Sequence, residues 1–175
     1  VGINQIDSRY NDTSVLDNIN YTPISSTQNF FEFVGQELIP YIDKKYRTSN
    51  FRVAIGHEKT ANFVNFFLIE PLVKRKKKPI ISGYILVSPA YTDNMKDYIV
   101  QYLTDSKDNL YYYLSTSNQD FKSISEDILN FNQTLDSIDK DNFHYKFKTW
   151  FISARDNMRD RRTSYIYSVS KRSSI

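Results

Sequence analysis

Cysteine is absent from all 175 residues. That removes disulfides, thiolate nucleophiles and Cys-based zinc sites, and it leaves the redox compartment open. Glycine is scarce, four residues in 175 against a usual fraction of about 7%, so few points allow close backbone approach. Only His57 and His144 offer an imidazole, which narrows the choice of a neutral-pH base. No run of about eighteen apolar residues occurs, so no membrane-spanning helix is expected. Val1-Gly-Ile-Asn-Gln5 also lacks the basic-then-apolar layout of a signal peptide. There is no His-x-x-x-His pair and no Gly-rich phosphate loop, so neither a metal nor a cofactor is expected.

What is present suits one compact core: 40% of the chain is hydrophobic and 15% of the chain is aromatic. The net charge is +3. Most of the excess sits in two places, Lys74 to Lys78 and Arg155 to Arg162. No aromatic platform is interleaved with the first run, so it reads as a solvated loop in preference to an anion-binding patch, and nucleic acid is not an expected partner. Either run would serve as a docking surface for an anionic partner if the loop reading failed.

Apolar periodicity divides the chain into alternating segments. Val1-Gly-Ile-Asn-Gln-Ile6 reads as a buried strand, and residues 11–28, rich in Asn, Asp, Ser and Thr, as a polar loop. Phe30, Phe31, Val34, Leu38, Tyr41 and Ile42 recur at helical spacing, predicting a helix over 28–46 that Pro40 kinks or tightens. Phe51-Arg-Val-Ala-Ile55 is a strand, and 62–72 a helix. A buried strand over 80–87 follows, then a helix over 95–103, a strand over 111–116, a helix over 123–138 and a last strand over 143–152. The alternation in that last strand suits a sheet edge, and Tyr165-Ile-Tyr167 is placed at the end of a C-terminal helix. Strands alternating with helices predict an α/β fold with a mostly parallel sheet and helices on both faces.

Between strand and helix lies Gly56-His57-Glu58-Lys59-Thr60-Ala61. A sharp strand–turn–helix of this kind is where hydrolases lift a nucleophile clear of the sheet. Together with Glu37-Leu-Ile-Pro40-Tyr-Ile, Tyr46-Arg47-Thr48 and Ser88-Pro89-Ala90, in that order and spacing, the chain resembles the α/β-hydrolase family that holds esterase D and the enterochelin (siderophore) esterases. The resemblance runs from about Val1 to Ile152. It implies an α/β-hydrolase-like sheet whose N-terminal strands are missing from this chain, within a partial domain over residues 1–168 and a polar basic tail over 169–175. It also implies that a missing N-terminal segment, or another chain, completes the sheet.

The family's motif reads Gly-His-Ser-x-Gly-Gly, and this sequence departs from it at the reactive position. Glu58 stands at the nucleophile position. Asn157 stands where the family places its catalytic His, Asp120 is the candidate acid, and the backbone N–H of Lys59 is the candidate oxyanion donor. Thr60 and Ala61 replace the two glycines, and a β-branched Thr is expected to strain or relax the turn. His57 is expected to support the turn, and His144 to lie at the wrong end of the sheet for catalysis. The expectation is an esterase-like protein that has lost its serine-hydrolase activity and is retained for binding a small molecule or protein, or as a structural part. The alternative is an active hydrolase using Glu58 in a rearranged site.

Overall fold

A computed structural model describes residues 26–73, 80–151 and 167–168. The chain forms two compact units, Val1–Asn50 and Phe51–Ile175. In the first, one helical run is built from α1 (Ser26–Glu32), a π-helical stretch (Phe33–Leu38) and α2 (Ile39–Lys45). The sequence places a kink or a tightening at Pro40, whereas the helix widens just before it. Ile39 N–H bonds to Val34 O, five residues back. Pro40 has no N–H to give and its ring crowds the preceding turn, and the wider turn takes up both defects.

The second unit is a five-stranded sheet in the order β1 (Val53–His57), β2 (Gly83–Val87), β3 (Leu110–Ser117), β4 (Phe143–Phe151) and β5 (Tyr167–Ser168). The first four run parallel, and β5 is antiparallel to β4. Between them come α3 (Lys59–Val73), α4 (Asp93–Asp105) and α5 (Lys122–Asp136). This is the parallel sheet flanked by helices that the alternation predicts. No helix among the described residues is long and apolar enough to cross a membrane.

Alternate residues of the sheet carry the helices. Tyr84, Leu86, Tyr112 and Leu114 are buried beneath α3, α4 and α5, which contribute Leu68, Ile99, Leu103, Ile128 and Leu135 to the same core. Two polar ties cross this layer. Tyr112 donates to Asn65 Oδ1 on α3 at 2.8 Å, and Tyr145 donates to Asn132 Oδ1 on α5 at 2.8 Å. Outside it, Lys96 bridges α4 to α5 through Asp127 at 2.6 Å.

Two expectations at the C-terminal end are corrected. β4 lies at the sheet edge, among the described residues, only over Phe143–Thr149: β5 pairs with its end, Trp150 opposite Ser168 and Phe151 opposite Tyr167. Its alternation arises because one face meets α5 while the other is wetter. Tyr167 therefore lies in a strand and does not end a helix. Predicted features at 1–6, 74–78 and 155–162 lie outside the described residues.

Candidate functional site

The C-terminal ends of β1, β2 and β3 carry the residues that sequence singled out. β1 runs into α3 through Glu58, whose φ is 51°. Its backbone N–H still bonds across to Val87 O on β2 at 2.9 Å, and its carbonyl accepts from Ala61 N–H at 3.0 Å. The chain thus reverses in one residue, and the Glu58 side chain stands exposed above the sheet end. Left-handed backbone is uncommon for a residue with a Cβ and collects at functional turns.

Two neighbours explain how the turn holds. A Cβ at Gly56 would sit 2.5 Å from Ala61 Cα and 2.6 Å from Thr60 O, both backbone atoms, so only glycine lets α3 close on β1. Thr60, expected to strain or relax the elbow, instead fastens it. Its hydroxyl accepts from His57 N–H at 2.9 Å and donates to His57 O at 2.8 Å. The turn keeps its sharp form because Thr supplies bonds where glycine would supply freedom. His57 is exposed beside this turn and enters through its backbone.

β2 ends at Ser88, the second left-handed residue, with φ 50°. Ser88 is buried, and its N–H bonds to Ser115 O on β3 at 2.8 Å. Its Oγ donates to Asp120 Oδ2 at 2.7 Å. The same oxygen accepts from Thr116 Oγ1 at 2.8 Å and from Ser117 N–H at 2.7 Å. One carboxylate oxygen of Asp120 is therefore saturated by three donors and the side chain is locked in place, half-buried, in the loop after β3. Sequence pointed to Asp120 as a site residue and to Ser88 only as part of Ser88-Pro89-Ala90, and it did not point to Thr116. Their part depends on β2 and β3 ending side by side.

The structure thus brings the Glu58 turn and Asp120 to one end of the sheet, linked through Val87 and Ser88. Lys59 begins α3, and its N–H is among the first four of that helix, which have no partner within it. Among the described residues no base hydrogen-bonds the Glu58 carboxylate, and no group of three metal-ligating side chains occurs. His144 starts β4 at the opposite end of the sheet, stacked on Tyr111 at 4.4 Å and bonded to Asn109 Oδ1 at 2.8 Å. Asn157 lies outside the described residues.

Behind the site, Asn62 Nδ2 donates to Ala90 O at 2.6 Å, tying α3 to the loop after β2. Tyr91 and Tyr112 share a 2.9 Å hydroxyl contact. Burial holds the phenols of Tyr91, Tyr112 and Tyr84 neutral, well above the usual tyrosine range.

A parallel sheet with helices between its strands, and a sharp strand-to-helix turn at one strand end, fits an α/β-hydrolase-like fold. Solved structures agree at the level of fold. An uncharacterised protein from Capnocytophaga ochracea matches with a TM-score of 0.67 and 24% identity, over 83% of this chain and 39% of its own. BES protein from Bacillus cereus gives 0.63 and 19%, over 79% and 53%. An IroE-like serine hydrolase from Shewanella oneidensis gives 0.56 and 19%, over 76% and 44%. This chain spans about half the length of those proteins, or less. No protein-family model and no curated protein matches it.

Proposed function

We propose that this chain is an esterase-like hydrolase-fold domain that no longer works as a serine esterase and is retained for binding or as a structural part of a larger assembly. The observation that carries the reading is Glu58 at φ 51° on the strand-to-helix turn. A carboxylate there cannot form a stable acyl-enzyme, because acyl transfer to it gives a labile anhydride, and the general base of the triad would be missing if Asn157 stands for its His. In this reading the Lys59 N–H is one oxyanion donor, and Asp120 is the acid, held by Ser88, Thr116 and Ser117. The name of one structural neighbour, an IroE-like serine hydrolase, supports an ancestry among serine hydrolases. We further propose that polypeptide outside the described residues completes the sheet beside β1.

The test is turnover of short-chain p-nitrophenyl esters by the full-length protein. No saturable hydrolysis above a Glu58→Ala control is expected. Saturable turnover that Glu58→Ala abolishes would overturn the reading in favour of a rearranged, active site. The exposed position of Glu58 favours that second reading, and a base within hydrogen-bond reach of its carboxylate is what it requires.

A further inference from the structure

Behind the Glu58 turn, two side-chain atoms of α3 are shut off from solvent without the bonds that burial requires. They are Asn62 Oδ1 and Asn65 Nδ2, and neither has a hydrogen-bond partner among the described residues. Asn65 is buried at 0% exposure. Nearly all buried polar side-chain atoms bond to protein or to ordered water, so an acceptor and a donor left over on one helix call for an explanation.

The other end of each amide is already engaged. Asn62 Nδ2 donates to Ala90 O at 2.6 Å, and since a carbonyl can only accept, this contact turns Oδ1 the other way. Asn65 Oδ1 accepts from the Tyr112 hydroxyl at 2.8 Å, which leaves Nδ2 with hydrogens to place. Because Tyr112 gives its one proton to Asn65, Tyr91 is the donor in the 2.9 Å contact between the two phenols. Tyr91 Oη therefore keeps lone pairs to offer. The Asn65 amide stands near enough to that oxygen to offset part of the rise that burial causes in the Tyr91 pKa, yet no hydrogen bond closes between them.

Asn62 and Asn65 are three residues apart on α3, so they are neighbours on one face with Cβ atoms about 5–6 Å apart. Two hydrogen bonds of about 2.9 Å laid end to end span such a gap. Water has that reach, and it both accepts and donates.

We infer that one ordered water is built into the fold here, accepting from Asn65 Nδ2 and donating to Asn62 Oδ1 and Tyr91 Oη. Three partners is the usual number for a buried water. It joins the tie between α3 and Ala90 to the tie between α3 and Tyr112. The helix that follows Glu58, the loop that follows Ser88 and β3 then share one polar network, and both left-handed strand ends are backed by it.

Two measurements on the full-length protein test the inference. A crystal structure that resolves ordered water is expected to show a density peak at hydrogen-bond distance from Asn62 Oδ1 and Asn65 Nδ2. Magnetic relaxation dispersion of the solvent, which counts slowly exchanging waters, is expected to lose one such water in Asn65→Leu, with the fold checked by circular dichroism. Asn132→Leu removes the similar amide that accepts from Tyr145 on α5, and is expected to keep the full count. Density in which the two amides bond each other, or in which a protein side chain takes the place of the water, overturns the proposal. An Asn65→Leu protein that keeps the full count does so as well. If that variant does not fold, the density in the unsubstituted protein decides alone.

Discussion

Glu58 and Ser88 are left-handed residues at the ends of neighbouring strands, and each is held by bonds its neighbours make. At Glu58 the hold is Thr60. Replacing Thr60 by Val keeps the volume and removes both bonds to His57, and is expected to cost about 1–2 kcal/mol in urea unfolding, whereas Ser keeps the hydroxyl and most of that stability. Gly56→Ala has no such recourse. Its new methyl would meet the α3 backbone at 2.5 Å, and a loss of about 3 kcal/mol is expected by the same measurement. The position of the turn could be read from the sequence, since Gly56 ends a β-branched run and a helical period follows. That Thr60 fastens the turn could not, because the bond depends on a side-chain rotamer that exists only once β1 and α3 meet.

At the scale of elements, the ends of helices and strands are set by a few side chains that reach across. Lys140 Nζ donates to three carbonyls at the end of α4, those of Leu103, Thr104 and Ser106, at 3.2, 2.7 and 2.6 Å. A cation there answers both the unpaired carbonyls and the negative end of the helix dipole. Lys140→Met is expected to lower stability by about 1–2 kcal/mol in thermal or chemical unfolding. Asn142 keeps its own bonds to Ser106 O and Asp108 O and prevents a larger loss. Helix periods over 95–103 and 123–138 placed α4 and α5 to within a few residues, because an amphipathic stripe is a local property. The π-helical turn before Pro40 was foreseen only as a defect. Whether a helix kinks, tightens or widens at proline is decided by which carbonyl the next free N–H can reach.

At the scale of the molecule, the buried tyrosines tie stability to alkaline pH. Burial raises the phenols of Tyr84, Tyr91 and Tyr112 above their ordinary value, so the folded state keeps protons that the unfolded chain gives up near pH 10. Their contribution is fully present below that pH and is lost as pH rises through it. Unfolding midpoints measured from pH 8 upward should hold and then fall above about pH 10. Tyr112→Phe should soften that fall while leaving Asn65 without its 2.8 Å donor.

The order of strands and helices, the location of the turn and the residue at its tip were properties of the sequence alone, because periodicity, glycine placement and the identity of one residue need no partner. The tertiary structure decided two further things: that the turn keeps a left-handed residue, and that Ser88 and Thr116 join Ser117 in holding Asp120. Each depends on strands distant in sequence ending or lying side by side, and no local pattern records which neighbours those will be.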